Sequence, residues 1–346
     1  MNTTIDDFVV SGDKVTLVRK LDKRMPANKP TTKIMSRFAY FLLVPALLYT
    51  SVALADWPMS NDPAFDPSVR APAYAHGEGP IILLDGAHHN FFVQWEFIEP
   101  FADLAAADGY QPIIDDEPFT PEYLARFDIV MIVTALPFDF TTKTEVTTET
   151  TFTQAEITAL HDWVEAGGSL LVFSEHAPFD QAINPLLQRF GMASSVGYVA
   201  DTEHHDEAYG SPGWIVYSRE NGLLDTQHPI INGRNEGEAI ERVVSFGGSS
   251  LTGEGYANLF RLSPAAENRQ HPTGVGPVGM GDSQALAGRV GAGRVAAFGD
   301  SNGFTAMNFE KEDGSALAAG MNTAGYDWKQ LVLNVLHWLS GELPSS

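Results

Sequence analysis

The chain reads as an α/β protein: a mainly parallel sheet with helices on both faces, a β-rich insertion and a β-rich C-terminal half. Three observations carry this reading. Short apolar runs ending in polar residues recur, as PIILLD (residues 80–85), QPIID (111–115), DIVMIVT (128–134) and SLLVF (169–173). Strands covered on both faces read in this way, without the alternation of half-exposed strands. Between the runs stand segments with apolar residues at helical spacing, several closed by glycine. The 346 residues are 44% apolar, which is enough for one large core.

Residues 1–34 receive no fold. Residues 36–55, SRFAYFLLVPALLYTSVALA, are apolar apart from a few hydroxyls and Arg37, and Ala53-Leu54-Ala55 supplies a small-x-small pattern before Asp56. Residues 35–55 are expected to be a secretory signal peptide cleaved after Ala55. An uncleaved N-terminal anchor is the alternative. Export to the periplasm or the exterior follows. Residues 1–55 hold 8 of the 21 basic and 4 of the 44 acidic residues, so 13 basic residues face 40 acidic ones in the remainder, a net −27. Such a surface repels nucleic acid and anionic lipid. The absence of cysteine excludes thiolate catalysis, disulfides and Cys-ligated zinc.

Residues 56–79, rich in Pro, Ala and Asp, read as an extended leader into a single domain over 80–341. Strand 80–85 is followed by a helix over 91–108, with Trp95, Ile98, Phe101, Leu104 and Ala105 at helical spacing and Gly109 as its stop. After strand 111–115, Thr120 and Pro121 start a short helix. Strand 128–134 leads into a Thr-rich connection of the length often seen in lids and binding loops, a solvated hairpin being the plainer reading. A helix over 153–166, strand 169–173 and a helix over 180–190 complete the regular part. Residues 193–222 read as an insertion with hairpins, residues 228–234 as a turn and short strand, and 243–251 and 257–262 as strands. Residues 284–287 and 294–298 flank GRVGAG as a hairpin. An amphipathic helix over 326–339 closes the chain.

Ligands bind beyond the carboxyl ends of strands in such sheets. Four strand ends carry polar clusters: Asp85 with His88, His89 and Asn90; Thr134; Ser174-Glu175-His176; and Asp300-Ser301-Asn302. Three readings follow. Imidazoles and carboxylates suit zinc, iron or manganese, with His88, His89, His176 and Asp300 as ligands and a bound water as nucleophile. Alternatively Ser174, Glu175 and His176, or Ser301, act as catalytic groups, although bulky neighbours crowd the turn at Ser174 and a nucleophile elbow wants small ones. Thirdly, the polar residues only cap helices and satisfy turns. The run from Glu203 to Glu207, with His204, His205 and Asp206, is a local candidate for a divalent ion, a solvated loop being the plainer account.

The segments LLDGAHHNFF, DIVMIVT, FTQAEITALHDWVEAGGSLLVFSEHAPF, LLQRFGM, HPIINGR and GRVAAFGDSNGF resemble a group of uncharacterised exported bacterial proteins with a class I glutamine-amidotransferase-like domain. The layout is also similar to the N-terminal domain of an intraflagellar-transport protein and to a gliding-machinery protein. The resemblance implies flavodoxin-like layers, with Ser174 or Glu175 standing where amidotransferases place their nucleophilic cysteine. Glutamine hydrolysis by that mechanism is therefore excluded. The resulting expectation is a domain that binds a small molecule or glycan at the strand-end rim through Asp85, His88, His89, Asn90, Asp300, Ser301 and Asn302. The alternatives are a metal-dependent hydrolase and a non-catalytic envelope scaffold.

Overall fold

The computed structural model describes residues 59–139, 151–271, 276–311 and 314–345. The expected signal peptide, the extension before it and most of the Thr-rich connection lie outside the described residues. The described residues form one compact unit.

Its centre is a nine-stranded sheet. Numbered along the chain, the strands are β1 (Ile81–Asp85), β2 (Gln111–Asp115), β3 (Ile129–Ile132), β4 (Ser169–Phe173), β5 (Met192–Ser194), β6 (Leu251–Gly253), β7 (Ala257–Arg261), β8 (Ser283–Val290) and β9 (Gly293–Phe298). Their order is β2-β1-β3-β4-β9-β8-β6-β5, with β7 also paired to β8. The first five strands are mutually parallel. From β9 outward every pairing is antiparallel. The sheet is thus mixed, and "mainly parallel" describes only one half of it. A tight two-residue connection reverses β8 into β9, whereas each parallel step needs a crossover.

The four longer helices sit in those crossovers or close the chain: α1 (Glu99–Ala107), α2 (Gln154–Glu165), α3 (Phe179–Arg189) and α4 (Trp328–Ser340). Ile157, Leu160 and Val164 of α2 and Ile183, Leu186 and Leu187 of α3 join Leu83, Val130, Ile132, Leu170, Val172 and Val295 in one apolar core. Helix α4 packs against β4, β9 and α1. Its last turn is held by Ser169 Oγ donating to Leu339 O (2.8 Å) and by the buried His337–Asp108 pair (2.7 Å).

Several expected elements differ. The helix over 91–108 is two, Phe91–Gln94 and Glu99–Ala107, because Glu96 takes a left-handed conformation (φ 64°) between them. The leader contributes a strand, Met59–Asn61, paired with Ala306–Glu310. Strands of the insertion pair with distant segments instead of with each other: Tyr198–Asp201 with Ala266–Arg269, and Val216–Ser218 with Arg242–Val244. The segment HPIINGR forms a single helical turn, Pro229–Asn232, with His228 Nδ1 accepting from Ile230 N (3.2 Å). Residues 243–251 split into two strands around a Ser-Gly bend.

Candidate functional site

The carboxyl ends of β1, β3, β4 and β9 form the rim, and strain collects there. Four described non-glycine residues have left-handed backbone, and three of them lie at these ends: His89 (φ 47°), Thr134 (φ 53°) and Glu175 (φ 54°). Such conformations cost about 1–3 kcal/mol each and tend to cluster at functional sites.

The β1 end is a closed polar knot. Asp85 accepts from Asn90 Nδ2 (2.8 Å), and Asn90 Oδ1 accepts from Val133 N of the neighbouring strand end (2.8 Å). His88 sits between two carboxylates, with Nδ1 2.9 Å from Asp85 and Nε2 3.0 Å from Glu156. Its ring lies against Phe119 and Phe152. Burial opposes the charge on this imidazole, but Asp85 and Glu156 together outweigh it and hold His88 above its ordinary value. Glu156 reaches His88 because it closes a capping box with Thr153 at the start of α2. His89 is half-buried, and its Nδ1 receives a long contact from Gln94 Nε2 (3.4 Å).

At the β4 and β9 ends the groups differ in character. Glu175 and Asp300 are both buried. Glu175 Oε2 accepts from Ser301 N (2.7 Å) and Ser301 Oγ (2.5 Å), and Oε1 accepts from His176 N (3.2 Å). Asp300 accepts from Phe246 N through Oδ2 and from Asn302 N through Oδ1 (2.9 Å). Burial first, then the charge of Glu175, pushes the Asp300 carboxyl up to about 7. Asp180, at the start of α3, is raised by burial to about 6 while Gly197 N donates to it (2.9 Å). Between these carboxyls His176 keeps 27% of its side chain exposed. Its Nδ1 donates to Ala177 O (2.8 Å), and its ring stacks on His271 at 3.8 Å. Burial, and His176 beside it, lower His271 to about 3.

The sequence candidates thus fall into separate groups. Ser174 is buried and its hydroxyl pairs with Ser249 Oγ (2.6 Å), deep in the sheet and away from an open nucleophile's position. Glu175, His176, Asp300, Ser301 and Asn302 do converge, whereas His88 and Asp85 are committed to one another and to Glu156. The four suggested metal ligands, His88, His89, His176 and Asp300, do not meet at one point. Among the described residues, the three metal-type side chains that do are His161, Asp162 and Glu165 of α2, the carboxylates exposed and the imidazole buried. In the Glu203–Glu207 run, His204 turns to Asp201 (3.0 Å) and Asp206 to the Tyr326 hydroxyl. Adjacent side chains there point to different partners.

Sequence reasoning passed over Glu156, Asp180, Phe246 and His271. A T-x-x-E capping signal over residues 153–156 was available for the first. Asp180 lies four residues beyond His176. No local signal marks Phe246 or His271, which long-range pairing delivers.

No protein-family model matches the chain, and no curated protein does. Solved structures similar to it include the mmIFT52 N-terminal domain, at 16% identity, covering 75% of this chain and 97% of that one with a TM-score of 0.49. A ThuA-like protein from Bacteroides uniformis has 14% identity, coverage of 82% and 97%, and a TM-score of 0.40. A second ThuA-like protein, from Parabacteroides merdae, has 11% identity, coverage of 77% and 91%, and a TM-score of 0.39. At these scores the likenesses carry no argument about what this chain does.

Proposed function

We propose that this is an exported amidotransferase-like domain without glutaminase activity, which binds a small, uncharged, hydroxyl-rich molecule, a sugar or glycan unit, at the ends of β4 and β9. One observation carries the reading: left-handed backbone at Glu175 coincides with the raised carboxyls of Asp180 and Asp300 around the part-exposed His176. Strain and shifted titration at the carboxyl ends of parallel strands are the physical marks of a site. His176 supplies a ring edge and Nε2 to hydroxyls, and the buried, hydrogen-bonded Asp300 and Glu175 hold the surrounding frame. Half-buried rings border it. Phe246, whose N–H binds Asp300, meets Trp214 edge-on at 4.9 Å, and Trp214 lies 4.3 Å from Tyr209. Rings with one face available suit sugars better than anions.

A metal-dependent hydrolase has less support, since both ring nitrogens of His88 already face carboxylates. The test is isothermal titration of the whole chain and of His176→Ala with neutral mono- and oligosaccharides, with elemental analysis of both proteins. Saturable binding lost in His176→Ala at unchanged melting temperature supports the reading. Stoichiometric zinc, iron or manganese that disappears with the imidazole overturns it in favour of the hydrolase. Loss of the fold in His176→Ala makes that residue structural and also overturns it.

A further inference from the structure

A cleft of about 620 Å³ opens outside the rim, between the leader at residues 68–71, the turn at residues 234–238 and the first turns of α4. None of the rim groups lines it. Three cations do, Arg70, Arg234 and Lys329, against two carboxylates, Glu238 and Asp327. Beyond residue 55 the chain has 13 basic and 40 acidic residues, so this local excess of positive charge runs against the rest of the molecule.

Both carboxylates are engaged within the fold. Glu238 accepts from Arg234 Nε (3.0 Å) and Nη2 (2.7 Å), and Asp327 Oδ2 accepts from Glu241 N (2.8 Å) and Arg242 N (3.0 Å). Lys329 Nζ instead donates to two backbone carbonyls, Asp66 O (2.6 Å) and Ser68 O (2.8 Å). Burial holds its ammonium below the ordinary value, opposed in part by the charge of Asp66. Arg70 is exposed and makes no ion pair or hydrogen bond with the described residues, whereas every other described arginine has such a partner. Its backbone is nevertheless held. Lys329 grips Ser68 O on one side of it, and Arg234 Nη2 donates to Ala71 O (2.8 Å) on the other. Fixing the chain that carries a binding group lowers the ordering cost of using it.

We propose that this cleft binds a small organic anion, whose carboxylate or phosphate group is held by Arg70 and Lys329. A guanidinium meets either oxyanion through a two-point fork, and an ammonium adds a point charge. Asn235, whose Oδ1 accepts from Gly237 N (3.0 Å), adds its amide N–H groups to the lining, and Val69 and Leu333 give an apolar side for the ligand's carbon frame. An anion here also offsets the charge that burial disfavours on Lys329. The volume falls within the range of small-molecule sites, about 300–1,000 Å³. The acidic surface elsewhere turns anions away, which favours this cleft over the rest of the molecule.

The site is independent of the glycan reading of the rim, and the experiment keeps the two apart. Inorganic phosphate and citrate are titrated calorimetrically, near neutral pH and at constant ionic strength set with sodium chloride, into the whole chain, Arg70→Ala, Arg70→Lys and His176→Ala. Arg70 is exposed and bonded to no described residue, so its replacement leaves the fold standing, which a thermal melt verifies. At least one probe should bind saturably at a single site. Arg70→Ala should weaken it roughly ten- to hundredfold, the worth of a charge-assisted hydrogen-bonded pair. Arg70→Lys should recover part of that loss, and His176→Ala should change nothing. A preference for phosphate or for citrate then says which oxyanion the cleft is built for. No saturable binding of either probe overturns the proposal, as does binding that Arg70→Ala leaves unchanged. Binding lost in His176→Ala but kept in Arg70→Ala places the anion at the rim and overturns both this site and the uncharged-ligand reading.

Discussion

Replacing Asp300 by Asn isolates the electrostatics of the rim. In the folded chain this carboxyl moves from 3.8 to about 7, through burial and then through the charge of Glu175. A carboxyl raised on folding favours the folded state while it is protonated. That contribution is complete below the unfolded value and is lost as pH climbs through the folded one. A rise of roughly three pH units is worth about 4 kcal/mol, of which roughly 3 kcal/mol is lost between about pH 5 and about pH 8. Asp180, raised to about 6, and His88, held above its ordinary value, lose stability in the same direction. His228 and His271, lowered to about 4 and about 3, act oppositely, since their neutral forms fit the fold and stability falls as they are forced to charge below pH ~6.5. Comparing wild type with Asp300→Asn cancels these shared contributions. The variant also carries an offset at every pH. An amide can accept only one of the bonds from Phe246 N and Asn302 N, and an unpaired buried N–H costs about 1–3 kcal/mol. Urea denaturation at several pH values should therefore show the wild type losing roughly 3 kcal/mol more than the variant between about pH 5 and about pH 8. Parallel curves would refute the claim that Asp300 carries the proton.

Glu175→Gln removes the like charge and should move the wild-type pH dependence attributed to Asp300 to lower pH, read from the same denaturation series; an unmoved midpoint leaves burial as the whole cause. At this left-handed position Glu175→Gly should be more stable than Glu175→Ala by about 1 kcal/mol, the reverse of the usual order, because only the alanine keeps a Cβ penalty. Equal stabilities would remove the strain argument. His88→Ala leaves Asp85 and Glu156 facing an empty space between Phe119 and Phe152, and should cost roughly 3–5 kcal/mol in denaturant unfolding; a loss under about 1 kcal/mol would mean the imidazole is not the clamp described. Gly299→Ala would place a Cβ 2.0 Å from Ser249 O, so the bend beside Asp300 must shift, with about 1–3 kcal/mol lost. A wild-type melting temperature would show that this backbone contact is slack.

Much of the regular structure was legible because its causes are local. The buried runs at β1, β3 and β4 appear where unbroken apolar stretches place them. The Thr153 cap and the Thr120-Pro121 start open the helices expected of them, and the GRVGAG turn joins β8 to β9. The helix over 91–108 was misjudged because apolar spacing continues through a break that only the Glu96 conformation creates. The insertion was misjudged because its strands find partners more than twenty residues away, and a short strand's own residues do not name its partner.

The sequence by itself determined the α/β class, the acidic charge, the exclusion of cysteine chemistry and the gathering of polar residues at strand ends. These follow from composition and from periodicity within a few residues. Only the tertiary structure decided which polar residues work together. His88 is sealed between Asp85 and Glu156, while Glu175, His176, Asp180 and Asp300 share one frame with Phe246 and His271. The physical reason is that a carboxyl's proton and an imidazole's partner depend on burial and on neighbours a few ångströms away. Pairing of β4 with β9, and of the insertion with its distant strands, brings those neighbours from positions far apart in the chain.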